Sequence, residues 1–123
     1  MKWRFTDDQP LYLQAASLIR GAVFSGEFPP GGRIPSVREL AAQARINPNT
    51  MQRAMAELEH EMLVISCGTA GKMVTDDEAV LGAVRENMLR ELARSCVEKF
   101  AAFGVSPAQA AEILGKQECK EEA

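Results

Sequence analysis

The chain has little of what most chemistry needs. It carries a single histidine, His60, and three cysteines, Cys67, Cys96 and Cys119, that are odd in number and far apart. Neither set has metal-site spacing. There is no phosphate-cradling glycine loop and no nucleophile with a base at a plausible distance, so enzymatic function is not expected, nor a metal or other cofactor. No apolar run approaches the ~20 residues that span a membrane. The opening MKWRFTDDQP lacks the apolar core of a signal peptide. These absences point to the cytoplasm, where thiols stay reduced, and away from any membrane. An excess of positive charge is also lacking: net charge is −3 over 123 residues. It is unevenly spread. Residues 1–75 hold eight Lys/Arg against seven Asp/Glu, and residues 76–123 hold six against ten. Contact with a polyanion must therefore come from a local patch in the first part.

What is present is an ordinary globular balance, 46% hydrophobic and 25% charged, with clear punctuation. PLYLQAASLIRGAVFSGEF starts at Pro10, a favoured first helical residue. Tyr12, Ala15, Ala16, Ile19 and Val23 recur at helical spacing, and Gly26 closes the segment. FPPGGRIP reads as a stiff loop. PSVRELAAQA carries a capping box, Ser36 with Glu39, ahead of a short helix with Val37, Leu40, Ala41 and Ala44 inward. After the turn RIN, Asn47 is a helix cap and Pro48 a first residue, and a helix runs to about His60. Leu63, Val64 and Ile65, then Met73 and Val74, flank a turn bracketed by Gly68 and Gly71, which predicts a small hairpin. A long helix follows from about Asp77 to Phe103. Ser106 and Gln109 form a second capping box, opening a short helix that ends at Gly115, and KQECKEEA reads as a frayed tail.

The expected fold is mostly α with a small β-hairpin. Residues 1–75 form a winged helix-turn-helix, and residues 76–123 form a two-helix C-terminal region. So short a pair of helices cannot build a core of any size alone. Yet Leu81, Val84, Met88, Leu92, Cys96, Phe100 and Phe103 make a long apolar stripe, widened by Val80, Leu89, Ala93 and Val97. A second copy of the chain is the economical cover. The alternative is a monomer folding these helices back on the winged domain. A helix of some 27 residues spans roughly 40 Å, longer than that domain, which favours the dimer. The stripe reads as dimer interface rather than as a cavity for an effector, and no effector can be identified from it.

INPNTMQRAMAELE holds the functional signal. At about 100° per residue, Met51, Ala54, Met55, Leu58 and Met62 share one face. Asn49, Thr50, Gln52, Arg53 and small Ala56 share the other. Arginine pairs with guanine, and asparagine or glutamine with adenine. Threonine bonds or offers a methyl to thymine. The start of the second helix of a helix-turn-helix enters the major groove. Asn47 alone reads as a cap, but the group from Asn47 to Arg53 reads as facing double-stranded DNA. Arg38, outward on the preceding helix, can reach a phosphate or a base. Arg33 and Arg45 stay open between phosphate neighbours and plain surface. The competing class is a winged-helix module that binds protein; the polar outer face suits bases better.

From Pro10 to about Val74, over half the chain, the sequence resembles the DNA-binding domain of the GntR family of bacterial transcription regulators. The marks are the PLY start, SGEFPPGGRIPSVREL and INPNTMQRAMAELE. NPNT with a tail of only two helices resembles the YtrA subfamily. The resemblance implies homodimeric repressors, often of transporter operons, with a reduced C-terminal region and a palindromic operator. It also implies that Ser36, Arg38, Asn49, Thr50 and the wing glycine Gly71 fall at DNA-contacting positions. The wing departs from the family. Its usual pattern is basic, with GxG(S/T)(F/Y)V; here it is SCGTAGKMV, and only Lys72 offers a cation for the minor groove. The wing is therefore expected to add less affinity than is usual. Cys67 at the wing raises a redox switch, but no cation cluster surrounds it to favour a thiolate. Cys96 lies on the apolar stripe.

Overall fold

The computed structural model describes residues 1–118. Its helices are α1 (Leu11–Phe24), α2 (Val37–Ala44), α3 (Pro48–His60), α4 (Glu78–Ala101) and α5 (Pro107–Gly115). Between α3 and α4 lie strands β1 (Val64–Ser66) and β2 (Lys72–Val74), joined by a single 3-10 turn, Gly68–Ala70. The expected tail falls partly outside the described residues, as does Cys119. The chain divides into two compact units, Met1–Arg85 and the residues from Glu86 onward.

In the first unit the apolar positions converge as their periodicity requires. Ala15, Ala16, Ile19 and Val23 of α1 meet Leu40, Ala41 and Ala44 of α2 and Met51, Ala54, Met55 and Leu58 of α3. Leu63, Val64 and Val74 close this core beside the strands. The alanines let helices approach closely, and methionine fills the irregular gaps left between them. Local signals place each helix start. Ser36 Oγ accepts from Glu39 N at 3.1 Å while Glu39 Oε1 accepts from Ser36 N at 3.5 Å. Asn47 Oδ1 accepts from Asn49 N at 2.7 Å, with Pro48 as the first residue. Arg45 takes a left-handed conformation, φ 57°, where the chain turns from α2 to α3.

β1 and β2 are antiparallel, with Val64 opposite Val74, Ile65 opposite Met73 and Ser66 opposite Lys72. The segment expected as a loop ahead of α2 is more ordered than that. Ile34 N donates to Lys72 O at 3.0 Å, and Val74 N donates to Gly32 O at 2.9 Å. Arg33 pairs with Met73 in an isolated bridge. Residues 31–34 thus line the free edge of β2 as a third extended segment and cover its backbone donors.

The long helix corrects one expectation. Val84 is buried in the core of the first unit, and Val80 and Leu81 pack against that core. The first compact unit extends through the first two turns of α4, to Arg85. Val84 is buried by the chain's own residues, which removes it from any surface open to a second copy, while Leu81 is half-buried. Trp3 and Phe5, stacked at 6.3 Å between ring centroids, also pack on this core from a segment that carries no periodic signal. In the second unit α5 opens with a capping box, Ser106 Oγ accepting from Gln109 N at 3.2 Å. Ala110 is its one buried apolar residue among the described positions.

Candidate nucleic-acid interface

The site is built on α3. Its buried residues, Met51, Ala54, Met55 and Leu58, turn the opposite side outward. Asn49, Gln52, Arg53 and Ala56 are exposed, and Thr50 is half-buried. Two neighbours flank this outward side. α1 lies along one edge: Arg20 Nε reaches Glu61 at 2.8 Å, and the Arg53 guanidinium lies over the Tyr12 ring, 3.8 Å from its centroid. The wing lies along the other edge, where Lys72 Nζ pairs with Glu59 and donates to Ser66 Oγ at 3.1 Å. Asn49, Gln52 and Ala56 occupy the ridge between these two tethers.

Asn47 spends its carbonyl oxygen on the cap, which leaves its amide group free to donate outward. Ser36 likewise accepts in a cap, and its hydroxyl hydrogen remains available. Arg38 is exposed on the first turn of α2, with no hydrogen-bond or ion-pair partner among the described residues. The unpaired amides at the starts of α2 and α3 add partial positive charge at these ends.

The wing differs from its sequence reading in one respect. Lys72, taken there as the free cation of the hairpin, is neutralised by Glu59 of α3. Residues thirteen positions apart meet because the hairpin folds back beside the helix. The cation at the wing is Arg33 instead. Its guanidinium lies against Gly71, where an added Cβ would sit 3.7 Å from Arg33 Nε and Nη2. Gly71 itself has φ 84° and ψ −148°, a region essentially reserved for glycine. It lets the hairpin turn tightly, and Cys67 N closes the turn on Gly71 O at 2.8 Å.

Asn49, Thr50, Gln52 and Arg53 thus lie on the outward side at the start of α3, and Arg33 lies beside Gly71 of the wing. An exposed helix start of amides and guanidinium, backed by a tri-helical core and flanked by a β-hairpin, is the geometry of a winged DNA-binding domain. The sequence profile described as bacterial regulatory proteins, gntR family, matches residues 11–74. The chain belongs to the GntR family. It is 30% identical over 103 residues to the HTH-type transcriptional regulator YhcF of Bacillus subtilis, itself described as uncharacterized, covering 84% of this chain and 85% of that one. It is 34% identical over 68 residues to the HTH-type transcriptional repressor YtrA of the same organism, covering 55% of this chain and 52% of that protein. A GntR family transcriptional regulator from Listeria monocytogenes superposes with a TM-score of 0.80 at 28% identity, over 93% of this chain and all of that one.

The protein is therefore a DNA-binding transcriptional regulator of winged helix-turn-helix fold, and not an enzyme. Among the described residues no helix is long and apolar enough to cross a membrane. Sequence reasoning missed three features of the interface: Tyr12 beneath Arg53, Glu59 against Lys72, and Arg33 beside Gly71. Each joins residues distant in the chain, and periodicity carries no signal for such pairs.

Proposed function

We propose that the protein is a homodimeric, cytoplasmic repressor that reads a palindromic operator through the start of α3. The observation that carries this reading is the exposed ridge of Asn49, Gln52 and Ala56, held between α1 and the wing. Two amides that can each bond adenine bidentately, with a small residue beside them, suit base edges better than an apolar partner. In this reading Ser36 and Arg38 at the start of α2, with Asn47 and Thr50 at the start of α3, supply contacts to the strands. Arg33 and Gly71 bring the wing to an adjacent groove, with Lys72 held back by Glu59.

Dimerisation rests on the second unit. Leu92 is 66% exposed and Phe103 86% exposed, while Met88, Cys96 and Phe100 are only half-buried. A helix pair that leaves such side chains in water gains stability by covering them with a second copy. Control of a transporter-type operon is drawn from likeness to the YtrA subfamily. Selection of bound duplexes from a random pool, at stated salt, tests the reading. A two-fold palindrome is the expected product; no enriched sequence sinks the specific repressor and favours a protein-binding winged module.

A further inference from the structure

Arg53 shares the outward side of α3 with Asn49 and Gln52, but its setting differs from theirs. Counted from Asn49 at about 100° per residue, it leans roughly 40° toward the flank that Glu57 and Glu61 share and that packs on α1. Gln52 leans the opposite way by roughly 60°, toward the wing, so helical angle alone does not separate the two residues; the contact with Tyr12 does. Arg53 is exposed, yet its guanidinium carbon lies over the Tyr12 ring, 3.8 Å from the centroid, and no carboxylate pairs with it among the described residues.

We propose that Arg53 is a phosphate clamp set by Tyr12, and not a reader of bases. The inference rests on the DNA-binding reading of α3. A helix with its side chains is about 10–12 Å across, and the major groove is about 12 Å wide. A helix that enters the groove therefore presents its outermost ridge to the bases and its flanks to the bordering strands. Contact with Tyr12 of α1 draws the Arg53 guanidinium toward one flank, so the group it meets is the sugar–phosphate strand. With its central carbon over the ring, the guanidinium still has in-plane N–H groups to offer, the edge that grips a phosphate bidentately. Tyr12 acts as a positioning residue: by holding the planar fork before DNA arrives, it lowers the ordering cost of the contact. Base reading is then concentrated on Asn49 and Gln52.

The test uses the full chain, a selected operator duplex and a random duplex, each titrated at several salt concentrations. Arg53→Ala, on an exposed position, is expected to lose about tenfold affinity on both duplexes, with their ratio unchanged. The slope of log K against log salt should become shallower by about 0.9 for each clamp lost. Tyr12→Phe should match the parent, because a phenyl ring also holds a cation. Tyr12→Leu should lose part of the affinity on both duplexes and add no further loss to Arg53→Ala. Arg53→Lys, which keeps the charge without the planar fork, should retain the slope and lose affinity. It serves if Tyr12→Leu fails to fold by circular dichroism. Loss on the operator alone after Arg53→Ala makes Arg53 a base reader and overturns the proposal. Parent-like binding by Tyr12→Leu or Arg53→Lys removes the positioning role. A parent that does not discriminate the two duplexes overturns the repressor instead, while the clamp remains measurable on random DNA. A parent that binds neither overturns both.

Discussion

The two units treat their apolar residues in opposite ways. In the first, Ile19, Leu40, Met51, Met55, Leu58 and Leu63 are excluded from water by the chain itself. In the second, Leu89, Leu92, Val97, Phe103, Ile113 and Leu114 remain exposed. Their polar groups differ as well. The first unit fixes its surface with ion pairs between elements, Arg20 with Glu61 and Lys72 with Glu59. The pairs in the second, Arg90 with Glu86 and Arg94 with Glu91, lie within one helix and are largely solvated, a setting in which such pairs contribute little. The first unit exposes Met62 and Ile65 but buries a continuous core, whereas the second buries little of its apolar surface. In the proposed dimer, recognition and assembly lie in different units, so the two can be broken independently.

The largest effect is expected from assembly. Leu92→Glu with Phe103→Glu puts charge on the most exposed apolar positions and should convert a dimer into a monomer in sedimentation equilibrium. Operator affinity should fall about 10²- to 10⁴-fold, because the second half-site is no longer bound as an intramolecular event. Far-ultraviolet dichroism of the winged unit should be unchanged. A parent chain that sediments as a monomer, or a variant that keeps full operator affinity, would break the contrast between the units. The reverse change is Leu58→Ala, in the fully buried core of the first unit. It should destabilise thermal or urea unfolding by about 2–5 kcal/mol, without separating protomers at concentrations where the parent is dimeric.

The same contrast explains what was legible in the sequence. Helix starts were, because their causes lie within four residues: the boxes Ser36–Glu39 and Ser106–Gln109, and Asn47 followed by Pro48. Inner faces were legible from periodicity, and the hairpin from β-prone runs around Gly68 and Gly71. The destination of a face was not. Val84 continues the same stripe as Leu92, yet one side chain is in the first unit's core and the other in water. Helical period cannot mark where along α4 that change occurs. The interface shows the same division. The outward residues of α3 follow from its period. The stacking of Arg53 on Tyr12, the pairing of residues 31–34 with β2 and the neutralisation of Lys72 depend on contacts across the fold.

Within recognition, Asn49→Ala should change specificity more than total binding. It removes one amide from the ridge, at a cost of about 1–3 kcal/mol on the preferred base pair, and should relax preference at one position per half-site. Uniform loss over all sequences would reassign Asn49 to a phosphate and shift base reading toward Gln52.

The smallest effect is expected at the wing, where it is also the most diagnostic. Lys72 is already paired with Glu59, so Lys72→Ala should alter affinity by about twofold or less and leave the salt slope nearly as it was. Arg38→Ala should lower both more clearly, since that cation has no carboxylate partner among the described residues. Glu59→Gln is the informative change. It releases Lys72 beside Gly71 and should strengthen DNA binding, steepening the slope by up to about 0.9 for each lysine that reaches a phosphate. Removing an acid from α3 would by itself also favour DNA. Combining Glu59→Gln with Lys72→Ala separates the two causes: a slope that returns to the parent value assigns the gain to the freed lysine. A gain that persists assigns it to the lost carboxylate, and the wing is then too far from the duplex for its lysine to matter. A sharp fall in slope on Lys72→Ala alone would mean that the ion pair opens on DNA, making Glu59 a competitor that the operator phosphates displace.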